Sequence, residues 1–132
     1  MVIPLEQCIA RPDEGSEQYR LVDHLVSVAT ACGDPNGKYS DRLGFLAGLL
    51  HDIAKCHIDW QDYILPSSKK KMGPPHAPLG SAIFAFVADT LIPNWCFIYE
   101  EREAARDEML NWLLAIRGHH GKIPDLTLMK VP

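Results

Sequence analysis

The chain has no apolar run approaching the ~20 residues that cross a bilayer. Its opening residues, Met1-Val-Ile-Pro-Leu-Glu6, carry neither the basic start nor the apolar stretch of a secretory signal. These two features set the expectation of a cytoplasmic protein with no membrane partner. Cysteine is sparse as well: Cys8, Cys32, Cys56 and Cys96 are far apart and form no C-x-x-C pair. Zinc-ribbon and thioredoxin-like readings therefore have no support, and free buried thiols are expected rather than disulfides. Basic charge is not in excess, since 13 Lys and Arg face 17 Asp and Glu for a net charge of −4. That balance argues against a generic nucleic-acid coat protein. It leaves a nuclease open, because metal sites collect carboxylates and a bound divalent cation reverses the charge that a phosphate meets. Repeats, low-complexity segments and strand-like alternation are also lacking.

What remains is an ordinary globular composition, 47% apolar and 23% charged, over 132 residues, enough for one domain with one core. The pattern predicts an all-α fold. Residues 1–15, with Pro4, Pro12 and Gly15, form an irregular lead-in. Ser16 is placed to cap a helix reaching about Cys32, with Leu21, Leu25, Val28 and Cys32 at helical spacing. Ser40 or Asp41 caps a second helix reaching about Lys55, whose stretch Leu43 to Leu50 is apolar almost all round and belongs at the centre of a bundle. Gly44 and Gly48 would let a neighbouring helix approach it closely. A short amphipathic helix passes through Trp60 and Tyr63, and Pro66 to Pro75 is a loop on turn chemistry. A fourth helix starts near His76 with Pro78 in its first turn, shows one face through Leu79, Ile83, Phe86 and Thr90, and ends at Pro93. A fifth spans about Glu100 to Gly118, acidic at its start, with an inner stripe of Met109, Trp112, Leu113 and Ile116.

Five of the six histidines, with Asp52, stand where metal ligands would be useful. His24 lies on the apolar side of its helix, as a hydrogen-bonded core residue or as a ligand. His51 and Asp52 close the most apolar helix, where a carboxylate is costly unless a cation compensates its desolvation. Lys55, three residues after Asp52, either pairs with that carboxylate or contacts a substrate phosphate as a point charge. His76 sits at a helix N-terminus, where the dipole keeps the ring neutral and able to bind metal; a plain capping role is the other reading. His119 and His120, framed by Gly118 and Gly121, form either a polar turn or a ligand pair. His57 is expected to face solvent. Mixed imidazole and carboxylate ligands suit Mn, Fe, Co, Ni or Zn, and two such ions can clamp a phosphodiester. Lys69, Lys70 and Lys71, in the loop, either guide a nucleic-acid backbone or are simply solvated.

The order and context of these residues resemble one family. The segments are His24, then Leu49-Leu-His-Asp-Ile-Ala-Lys55, Trp60-Gln-Asp-Tyr-Ile64, Pro75-His-Ala-Pro-Leu-Gly-Ser-Ala-Ile-Phe-Ala-Phe86 and Ala115-Ile-Arg-Gly-His-His-Gly-Lys-Ile-Pro-Asp125. Together they resemble the HD nuclease domain of the type I CRISPR interference nuclease-helicase, within the HD phosphohydrolase superfamily. The histidine–aspartate pair by itself points only to the superfamily; the H-A-x-x-G-S-A and H-H-G-x-x-P-D segments are more specific. The likeness spans about residues 19 to 125.

The resemblance implies an all-α HD bundle that binds two divalent transition-metal ions (Mn, Ni, Co or Fe). It places His24, His51 and Asp52 on one ion and Asp52, His76, His119 and His120 on the other, with Lys55 and Asp52 as catalytic residues. The implied activity is metal-dependent cleavage of single-stranded DNA, with a helicase domain or subunit and an RNA-guided surveillance complex as partners. Two departures stand out. Ala54 replaces a usual glycine, and the family's later metal-binding aspartate has no evident counterpart, Asp125 belonging to the double-histidine motif. With no G-x-x-x-x-G-K-[ST] motif present, residues 1–132 are expected to be a single nuclease domain lacking the family's C-terminal helices and helicase. The alternatives are an HD-type nucleotide phosphohydrolase and a catalytically weak docking module.

Overall fold

A computed structural model describes residues 3–10, 20–63 and 76–119. It is all-α, with no strand among the described residues; an isolated antiparallel bridge joins Ile9 to Arg20. Five α-helices follow in order: α1 (Leu21–Cys32), α2 (Tyr39–Leu50), α3 (Ile58–Tyr63), α4 (Ala77–Trp95) and α5 (Tyr99–Gly118). Short 3-10 turns stand at Leu5–Gln7 and Ile53–Cys56. None of these helices is long and apolar enough to cross a membrane. The four cysteines are free, three of them buried and Cys32 half-buried.

The helix starts show what local chemistry decides. The first helix, expected from Ser16, is described from Leu21. Ser16 is outside the described residues, and Arg20 is extended, its carbonyl already accepting from His24 N. The chain is held straight there because Leu21 N donates to Cys8 O at 2.9 Å, and Asp23 takes the Arg20 guanidinium at 3.0 and 3.1 Å. In α2 the N-cap is Lys38, ahead of the expected Ser40 or Asp41. Asp41 still does the capping chemistry from the third helical position, where its Oδ2 accepts from Lys38 N at 3.2 Å.

Packing follows from small residues. A Cβ on Gly48 would lie 2.6 Å from Ala29 Cα, and one on Gly44 would lie 2.2 Å from Cys32 O. Bare backbone at these two positions is what lets α1 cross α2 so closely. The main core joins Leu43 and Ala47 of α2, Phe84, Ala88 and Ile92 of α4, Cys96, and Ala105 and Ile116 of α5. Met109, Trp112 and Leu113 pack against it, as the α5 stripe predicts. A smaller core holds Cys8, Ala10, Leu21, Leu25 and Cys56.

Three further expectations are corrected. The second helix stops at Leu50 instead of Lys55: His51 keeps helical angles, Asp52 turns to φ −114° and ψ 15°, and the chain tightens into the Ile53–Cys56 turn. The face of α4 marked by Leu79, Ile83, Phe86 and Thr90 is not the buried one. Leu79 and Phe86 are 50% and 76% exposed, while Ala77, Gly80, Ser81, Phe84, Ala88 and Ile92 face inward. A helix apolar all round has no sequence phase, so the smallest residues decide which side a neighbour can approach. Finally, Pro93 lies within α4, which continues to Trp95.

Candidate metal centre

Four elements deliver side chains to one end of the bundle. His24 comes from α1; His51 and Asp52 leave the end of α2; His76 caps α4; His119 follows α5. Gly80 sets the α4 approach, because a Cβ there would lie 2.7 Å from His51 O. The resulting contact brings His76 to the α2 terminus.

Asp52 is the hub. It is 1% exposed, and its two oxygens face different partners. On one side, Oδ2 meets His24 Nε2 at 2.9 Å and His51 Nε2 at 3.2 Å. On the other, Oδ1 meets His119 Nε2 at 2.7 Å and His76 Nε2 at 3.2 Å. The His24, His51 and His119 rings stand at 5.1 Å centroid spacings, His51 being the middle one. Two groups of three can each hold a metal ion: His24, His51 and Asp52, and Asp52, His76 and His119, with ligand atoms within 4.8 Å of one another in each.

The hydrogen bonds behind the rings test whether this donor set fits a metal. His51 Nδ1 donates to Gly48 O at 2.6 Å, and His119 Nδ1 donates to Ile116 O. A carbonyl only accepts, so each ring carries a proton on Nδ1. The neutral tautomer then points an Nε2 lone pair at an Asp52 oxygen, which is also an acceptor. Two acceptors facing each other require a cation between them, either a proton or a metal. Backbone carbonyls that fix the tautomer in this way are the usual support for histidine ligands. The residues present therefore fit a divalent ion.

Electrostatics point the same way. Burial alone would push the Asp52 carboxyl up, but hydrogen bonds from His119, His51 and His76 and the Lys55 charge outweigh it. Its carboxyl is held far below the ordinary carboxylate range. For His24 burial wins over the Asp52 contact, and the ring is held below the usual histidine value. His119 is also pushed down by burial, yet its Asp52 and Ile116 hydrogen bonds prevail and raise it.

Lys55 takes the position of its ion-pair reading. One turn of 3-10 helix stacks residue i+3 over residue i, and Lys55 Nζ lies 3.2 Å from Asp52 Oδ2. The side chain is buried, donates to Ala10 O at 3.2 Å and covers the Trp60 ring at 4.6 Å. His57 stays outside the cluster, half exposed beside Asp59. His120 and Lys69, Lys70 and Lys71 lie outside the described residues.

One supporting residue carries no distinct functional signal in the sequence. Gln61, buried in α3, accepts from Ile9 N at 2.9 Å and donates to Ile9 O at 2.9 Å and Lys55 O at 2.7 Å. It ties the N-terminal segment to the turn that carries Lys55. Only its place in the short Trp60–Tyr63 helix hinted at it, and a lone glutamine on such a helix has no distinctive spacing.

No family model, no curated protein and no solved structure matches the chain.

Proposed function

We propose that the chain is a divalent-metal-dependent hydrolase of phosphodiester bonds, acting on single-stranded DNA together with a helicase and an RNA-guided surveillance complex. The observation that carries the chemistry is Asp52, a buried carboxylate with histidine Nε2 atoms converging on both oxygens. The choice of DNA as substrate and of these partners rests on the resemblance of the motif order to the CRISPR-associated HD nuclease domains. Under this reading Asp52, His76 and His119 would hold one ion, and Asp52, His24 and His51 a second.

A divalent ion held there supplies Lewis acidity towards a phosphoryl oxygen and acidifies water. The chain's own groups prepare for it. Asp52 stays ionised at all physiological pH because its surroundings suppress its protonation. Gly48 O and Ile116 O fix the His51 and His119 tautomers so that Nε2 faces the centre. Lys55 holds Asp52 Oδ2 in place and is itself held by Ala10 O, which orients the carboxylate between the two histidine pairs.

The test is a time course of purified protein on labelled single-stranded DNA circles with Mn²⁺, with chelator, and with the Asp52→Ala variant. Cleavage with Mn²⁺ that chelator and the substitution both abolish supports the proposal. Metal-dependent release of phosphate from mononucleotides, with DNA left intact, would replace it by nucleotide phosphohydrolase activity. No metal and no hydrolysis would leave a docking module.

A further inference from the structure

The two halves of the centre share one carboxylate unequally. Among the described residues, His76 and His119 approach Oδ1, whereas Oδ2 is approached by His24, His51 and also the Lys55 ammonium. That ammonium is not a surface charge free to swing away. It lies 3.2 Å from Ala10 O and 4.6 Å from the Trp60 ring centroid, and the residue is 7% exposed. Gln61 fixes the backbone on either side of it by bonding Ile9 and Lys55 O.

We infer that Lys55 makes the centre fill in order: the Oδ1 half with His76 and His119 takes the first divalent ion, and the Oδ2 half with His24 and His51 takes a second only weakly. This rests on the metal-centre reading above. An ion bound to Oδ2 would sit ~2.0–2.2 Å from that oxygen, while the ammonium already stands 3.2 Å from it. The two cations would then be no more than roughly 5.4 Å apart, where like charges at a partly buried site repel strongly. Unlike the imidazoles, which can turn an Nε2 lone pair to an arriving ion, the Lys55 ammonium can only donate, and it occupies one lone-pair direction of Oδ2. Charge balance agrees. Among the described residues the two ligand groups share a single carboxylate, Asp52, and Lys55 already neutralises it. The first ion meets His76 and His119 on the far oxygen; a second must enter beside both a divalent ion and an ammonium.

The experiment is a calorimetric titration of the metal-free protein with Mn²⁺, with free Mn²⁺ followed in parallel by electron paramagnetic resonance. Two binding steps are expected, separated by about tenfold or more in affinity. His76→Ala should remove the tight step and His24→Ala the weak one. Lys55→Met, neutral and of similar length, should strengthen the weak step and narrow the gap, with circular dichroism checking the fold. Two steps of equal affinity, or loss of the tight step in His24→Ala, would overturn the inference while leaving the metal centre standing. An unchanged gap in folded Lys55→Met would overturn the role of the lysine. Should that variant not fold, the wild-type and histidine-variant titrations still decide the filling order. No Mn²⁺ binding at all would remove both the inference and the metal-centre reading beneath it.

Discussion

At the scale of single residues, His119 holds the centre's proton balance. Its pKa is raised because the Asp52 and Ile116 hydrogen bonds outweigh the burial that would lower it. In the metal-free protein, this raised value stabilises the fold fully below the unfolded histidine pKa of about 6.5, and the gain is lost as pH rises through the folded value. A metal needs the neutral ring, so proton and ion compete for Nε2. Mn²⁺ affinity should therefore keep rising with pH above about 6.5 and level off only past the raised value. Titrations across that range, with the His119 ring followed by NMR, check this; an affinity already flat at the ordinary histidine value would contradict it. Asp52→Asn is the companion change. It keeps the shape but removes the anion at which four imidazoles and Lys55 converge, so metal retention measured by mass spectrometry should fall to background.

At the scale of elements, the rotational phase of α4 is the most testable feature. Phe84 is fully buried and Phe86 is 76% exposed, two residues apart on the same helix. Phe84→Ala should cost ~3–5 kcal/mol, whereas Phe86→Ser should stay within about 0.5 kcal/mol. Denaturant unfolding separates these, and the opposite ranking would mean that the Leu79–Phe86 face is the inner one. Gly80 links this packing to the site. A Cβ there would sit 2.7 Å from His51 O, a backbone atom that cannot swing aside. Gly80→Ala should cost ~1–3 kcal/mol and also weaken metal binding, because moving α4 off α2 carries His76 away from Asp52. A stability loss with unchanged metal affinity would show that His76 is positioned by something else.

At the scale of the whole molecule, the centre closes the bundle. α1, the end of α2, the start of α4 and the end of α5 meet at Asp52, so an ion bound there joins elements far apart in sequence. Binding to the folded state alone stabilises by about 2.7 kcal/mol at a hundredfold excess over Kd. The melting temperature should rise accordingly with added Mn²⁺ and drop back with chelator; a melting point indifferent to metal would argue against such a closure. The smaller core makes a separate prediction. Burial, with the neighbouring Cys8 thiol, pushes Cys56 up to about 12, and burial raises Cys8 as well. Near pH 8, half-buried Cys32 should therefore react first with a disulfide reagent, and Cys8 and Cys56 only on unfolding.

Much of this was legible along the chain. Helical spacing and breakers place the five helices, although Arg20, Leu50 and Trp95 correct three of their ends. The histidines at 24, 51, 76 and 119, with Asp52, stand out as candidate ligands through residue type and motif order. Local patterns encode period, caps and chemistry, because these depend on residues within a turn of one another. What the tertiary structure decided lies between distant residues. His24 meets Asp52 across 28 positions and His119 meets it across 67. The inner face of α4 depends on Gly80 fitting against His51 O, not on its own apolar pattern. Lys55 is an internal counter-ion because Ala10, from a segment with no helical pattern, places a carbonyl over it and Gln61 anchors both. No spacing rule announces that a carbonyl 45 positions away will accept from a lysine. Close packing of separate elements creates that contact, and with it the difference between a lysine that reaches for substrate and one that holds a carboxylate.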